Sequence, residues 1–139
     1  MKWIKNLIFP LAGLLFFGCS VETDDPEEAF QYWSNSKVPE EIEVLEGYYY
    51  KSPHFTYEFE VFLKIKAEDA WVDELIERSN MSVDTVGNDW SGFTQLPAWF
   101  KPGKEASCYA LDQHDIFDRT RIFKNSSTGI CYIYDTLGM

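Results

Sequence analysis

Between residues 55 and 66 the chain reads FTYEFEVFLKIK. Phe55, Tyr57, Phe59, Val61, Leu63 and Ile65 alternate there with Thr56, Glu58, Glu60, Phe62, Lys64 and Lys66. Successive side chains of a strand point to opposite faces, so this stretch predicts a strand with one long apolar face and one wet face, interrupted at Phe62. An apolar face of that length needs a cover. Trp71, Val72, Leu75 and Ile76 form one stripe at helical spacing within 68–79. Glu68 and Asp69 near its start and Arg78 near its end suit the helix dipole.

The same reading extends in both directions. Ile42, Val44 and Tyr48, Tyr49 and Tyr50 predict a first strand, bulged near Gly47. The turn at 51–54 then makes it an antiparallel hairpin with the next strand. Residues 81–104 are broken by Gly87, Gly92, Pro97, Pro102 and Gly103 and show no period. SCYALD at 107–112 predicts a third strand. Segments 119–124 and 130–135 predict a closing hairpin, with Gly129 free to take positive φ. The expected fold is α+β: a small, mostly antiparallel sheet in the order β-β-α-β-β-β with one helix packed on one face, as a single domain over 38–139.

Charge narrows the partners. Among 139 residues, 12 are basic and 23 acidic, for a formal net charge of −11. So acidic a chain repels a phosphate backbone, which argues against nucleic acid. Aromatic residues make up 17% of the chain, enough to fill a small core with few large side chains. The acid-rich run Glu22, Asp24, Asp25, Glu27 and Glu28 shows no hydrophobic period, and 19–37 reads as a flexible, solvated tether.

Residues 1–18 place Lys2 and Lys5 ahead of an apolar run at 7–17. That run is about 11 residues, short of the ~20 a membrane-crossing helix needs, and it matches the core of a secretory signal peptide. It ends in LFFGCS at 15–20. This ending resembles the lipobox of bacterial lipoproteins. The resemblance implies that the leader is cut before Cys19, that the Cys19 thiol carries a diacylglyceryl group, and that its new amino group is acylated by a palmitate-type chain. Acid-rich tracts just after such a cysteine also resemble the surface-export signals of Bacteroidota lipoproteins; a charged spacer is the plainer reading. Ser20, where enteric lipoproteins retained at the inner membrane carry Asp, implies an outer-membrane location, on the periplasmic face or the cell surface. The rest of the chain resembles small bacterial lipoproteins of unknown function through VPEEI at 38–42, the strand–helix unit, LPAWFKP at 96–102, RIF at 121–123 and TGICYIY at 128–134. That resemblance implies no activity, cofactor or catalytic residue.

Several groups are candidates for chemistry. Asp112, His114, Asp115 and Asp118 are the densest set of polar ligands and suit a hard cation or a His–Asp base. Their segment lacks the Gly and terminal bidentate Glu of a calcium loop, so a solvated connection is the plainer reading. Glu58 and Glu60 share a strand face, with His54 before them and Lys64 and Lys66 after; cross-strand ion pairing explains them without catalysis. Trp90, Trp99 and Phe100 stand among prolines, either as a binding platform or as closure of the core's open end. Cys108 and Cys131 form a disulfide or sit as two small buried hydrophobes. No zinc spacing, phosphate loop, nucleophile elbow or dinucleotide fingerprint appears.

The expected protein is a lipid-anchored module of the cell envelope that works by structure or by binding a protein, without cofactor or metal. An inhibitor or immunity-type lipoprotein for a basic partner is the second reading, and a small hydrolase using the 112–118 loop is the third.

Overall fold

The structure is a computed structural model that describes residues 19–53, 58–84, 95–111 and 119–137. The leader at 1–18, His54, Trp90, Asp112, His114, Asp115 and Asp118 lie outside the described residues.

Among the described residues nine elements follow one another: β1 (Val21–Thr23), α1 (Pro26–Ser34), β2 (Ile42–Lys51), β3 (Phe59–Ala67), α2 (Asp69–Arg78), β4 (Met81–Val83), β5 (Ser107–Leu111), β6 (Arg121–Asn125) and β7 (Ile130–Leu137). The strands make one sheet of 7 in the order β1-β2-β3-β7-β6-β5-β4, with every neighbouring pair antiparallel. The class is α+β, as expected. The element order differs: β1, α1 and β4 join the β-β-α-β-β-β set, and two helices rather than one pack on the sheet.

The alternating strand, β3, lies inside the sheet between β2 and β7. On one face of β3, Val61, Leu63 and Ile65 are fully buried in the main core, with Ile122 of β6, Ile133 of β7, Ala29 and Phe30 of α1, and Val72 and Ile76 of α2. The other face is not simply wet. Phe62, the apolar exception in its pattern, is fully buried in a second core with Phe100, Phe123 and Tyr134. Phe100 sits edge-on to the Phe62 ring at 5.2 Å and Phe62 stacks on Tyr134 at 4.9 Å. The irregular segment after Pro97 therefore covers the second face.

The stretch read as a tether is part of the fold. Asp25 caps α1 by accepting the Glu28 amide at 2.9 Å, Pro26 takes the first turn, and Asn35 closes the helix in the left-handed region at φ 54°. Those local features set the helix ends, and Ala29 and Phe30 bury its inner side. Ahead of it, β1 pairs with β2 in the register Val21↔Lys51, Glu22↔Tyr50 and Thr23↔Tyr49. Three residues are too few for a hydrophobic period, so β1 has no signal in the pattern. The same holds for β4, which follows Asn80 in its left-handed conformation at φ 51°.

The closing hairpin forms as expected, with Gly129 at φ +68°. The bulge in β2 falls between Val44 and Glu46, just before the expected position. On the helix-bearing face, Lys124 of β6 reaches Asp73 at 2.7 Å and Asp69 at 3.5 Å, fastening the first turns of α2 to the sheet.

Candidate functional site

Among the described residues, one concave surface lies between α1 and α2 above the sheet. Phe30 and Trp33 come from α1 and Trp71 and Leu75 from α2, around a cleft of about 470 Å³. A smaller recess of about 210 Å³ continues to the sheet over Met81, Ile122 and Ile133. Trp33, Leu75 and Ser79 belong to both. Trp33, Trp71 and Leu75 are half-buried, offering apolar surface while packing against the core.

One carboxylate sets this geometry. Asp135 of β7 accepts the Trp33 indole N–H at 2.8 Å and the Thr120 hydroxyl at 2.8 Å, one on each oxygen. The first bond links α1 to the sheet across 102 residues of sequence and aims the indole over the recess. The arrangement suits an apolar or aromatic group from a partner, because large aromatic side chains in a desolvated hollow carry most binding energy at interfaces.

This cleft is absent from the sequence reading because Trp33 lies in the segment read as a tether. A signal was present. Asp25, Pro26, Glu27 and Glu28 form a helix start by cap, first-turn proline and acidic first turn, and Phe30 and Trp33 follow at helical spacing.

Of the two readings of Trp99 and Phe100, platform or closure of the core, their packing matches closure. Phe100 is 2% exposed, with its ring edge-on to Phe123 at 6.1 Å and Tyr132 at 5.4 Å. Trp99 is half-buried against the same cluster. Large rings in a long segment here close the second core, because the even face of β3 carries Phe62 and needs a cover.

Of the two readings of Cys108 and Cys131, disulfide or separate thiols, the structure has separate, free thiols. Cys108 pairs with Phe123 of β6, which pairs with Tyr132 of β7, so β6 separates the two cysteines. Two strand spacings are roughly 10 Å, beyond the ~7 Å a bridge spans. Cys108 packs on the second core and Cys131 in the main core, on opposite faces.

Burial, with the Asp84 carboxylate nearby, pushes the Cys108 thiol up to about 11, against a smaller opposing effect of Arg121. Burial pushes Cys131 up to about 12. A thiol at about 11 is ionised to roughly one part in ten thousand at neutral pH, which makes it a poor nucleophile. Arg121 and Asp84 form a buried ion pair at 3.2 Å that joins β6 to the end of β4. Glu60 accepts the Tyr134 hydroxyl at 3.0 Å, and Lys64 lies 5.8 Å from the centre of the Tyr132 ring, so both partner aromatic residues of β7. Glu58 is half-buried beside Glu60, and its carbonyl accepts the Ser52 amide at 3.0 Å.

Among the described residues, no group of three or more His, Cys, Asp or Glu side chains is placed to hold a metal ion. Nor is any helix among them long and apolar enough to cross a membrane. Cys19 is exposed, two residues ahead of the edge strand β1. The chain matches no protein-family model, no curated protein and no solved structure.

Proposed function

We propose that the protein is a lipid-anchored component of a bacterial cell envelope, acylated at Cys19, whose folded part works by binding a protein rather than by catalysis. The observation that carries this reading is Cys19 itself. It follows a basic start, an apolar run and Gly18 in the sequence, and its side chain is exposed two residues ahead of β1. Multiple acyl chains anchor stably where one would not, since each buried methylene adds roughly 0.8 kcal/mol.

Replacement Cys19→Ser tests the anchor. The expected outcome is loss of incorporated fatty acid and release from the membrane fraction, or retention of the leader, read by intact mass. Wild-type protein of unmodified mass with residues 1–18 still attached discards the reading.

The binding surface that supports the second half of the proposal is the cleft between α1 and α2. Crosslinking on intact cells that captures the same partner equally from wild type and Trp71→Arg rules this cleft out as the contact.

A further inference from the structure

Asp84, Asp73 and Glu74 each face a cation: Arg121 at 3.2 Å, Lys124 at 2.7 Å and Arg78 at 3.6 Å. Asp135 does not. It is half-buried, and among the described residues no Lys, Arg or His side chain forms an ion pair with it. Its two hydrogen bonds come from neutral donors, the Trp33 indole N–H and the Thr120 hydroxyl, one to each oxygen. A carboxylate offers about four lone-pair positions, so each oxygen can still accept another donor. A charge in that setting has given up part of its hydration with no counterion to offset the loss.

The space beside it is walled by apolar groups. Leu75, Met81, Leu111, Ile122 and Ile133 line the recess of about 210 Å³. Among the described residues Asp135 is the sole charged member of that lining, next to Trp33 and the hydroxyl residues Ser79 and Thr120. Sites for drug-sized ligands run to roughly 300–1,000 Å³, so this recess is on the scale of one side chain. The wider cleft above it has Arg78 in its lining, and Glu74 answers that charge, so the rim adds no net charge of its own.

Apolar walls with one carboxylate fit an occupant of matching build: a methylene stem for the walls and a cation for Asp135. Lysine and arginine side chains have that build, and they bury their stems where the charged head finds a partner. A wholly apolar side chain would match the walls and strip the carboxylate of its remaining water. An acidic one would meet repulsion. At longer range, the formal net charge of −11 draws a cationic partner toward the molecule.

We infer that the recess is a specificity subsite for a lysine or arginine side chain of the partner protein, with the stem against the apolar walls and the cation on Asp135. The inference names the partner's chemistry and rests on the α1–α2 cleft being the protein contact. The cleft supplies aromatic area for an apolar neighbour, and the recess selects the basic residue beside it.

The test titrates the full acylated protein in detergent with two probes, Nα-acetyl-lysine amide and its norleucine counterpart, which has the same stem without the ammonium. Binding is read from the NMR signals of the Trp33 indole N–H and the Ile122 and Ile133 methyl groups. The lysine probe is expected to move these signals saturably and to bind roughly tenfold more tightly than norleucine. Added salt is expected to weaken the lysine probe alone. Asp135→Asn, with its fold checked from the same spectra, is expected to make the two probes equal. Should that variant fail to fold, the salt dependence of the wild type decides. No shift with the lysine probe, equal affinity for both probes in the wild type, or lysine binding that salt leaves unchanged overturns the inference. If any of these occurs while Trp71→Arg loses the partner crosslinked on intact cells, the cleft stands and the basic subsite falls. A partner captured equally from wild type and Trp71→Arg overturns both.

Discussion

Gly47 shows how closely one residue is tied to the packing around it. A Cβ built there lies 2.9 Å from the Ala29 Cβ and 2.9 Å from the Pro26 Cα, so α1 lies directly on the β2 backbone. The second neighbour is backbone and has no rotamer by which to retreat. Gly47→Ala is therefore expected to lift α1 and cost about 1–3 kcal/mol of stability, read as a lower urea midpoint. An unchanged midpoint means that α1 does not rest there. From sequence Gly47 reads as a bulge-prone position in a strand; its partner is visible only once α1 exists. Phe62 is the converse case. As an apolar residue on a polar face it marks a second buried surface by pattern alone, although nothing in the pattern says that Phe100 covers it.

At the scale of elements, the clearest difference lies in 19–37. If this segment were a solvated tether, Phe30→Ala would be silent. In the fold, Phe30 is 2% exposed and edge-on to Trp33 at 5.6 Å. The substitution is expected to cost about 3–5 kcal/mol, measured by thermal or chemical unfolding. β2, β3, α2, β5, β6 and β7 were legible because each is long enough, or regular enough, to repeat its period. β1 and β4 have 3 residues each and draw their stability from a neighbour's ladder, which no local pattern encodes. α1 was obscured by five carboxylates in and around it, although its cap and first-turn proline are plain local chemistry. The cleft inherits both difficulties. Trp71 and Leu75 were legible as one helix stripe, whereas Trp33 comes from the unread helix and Asp135 joins them across the whole chain.

For the whole molecule, the two buried thiols make stability depend on alkaline pH. Folding raises Cys108 from 9.0 to about 11 and Cys131 from 9.0 to about 12, in both cases chiefly through burial. Above pH 9 the unfolded chain releases these protons while the folded one keeps them, so stability falls as pH rises. The decline from Cys108 is expected to end near pH 11 and that from Cys131 near pH 12. Unfolding midpoints measured from pH 8 upward check this, and Cys131→Ala, compared with wild type for the slope alone, should flatten the decline. An equal slope in both proteins removes the assignment.

Taken alone, the sequence determined the α+β class, the long amphipathic strand, the main helix and the closing hairpin, because each is written in neighbouring residues. Only the tertiary structure decided that the acidic segment folds onto the sheet, that Phe100 is core, that the cysteines lie on opposite faces, and that Trp33 and Asp135 meet. Those outcomes depend on which distant surfaces bury one another, and burial is a property of the assembled chain rather than of any local run of residues.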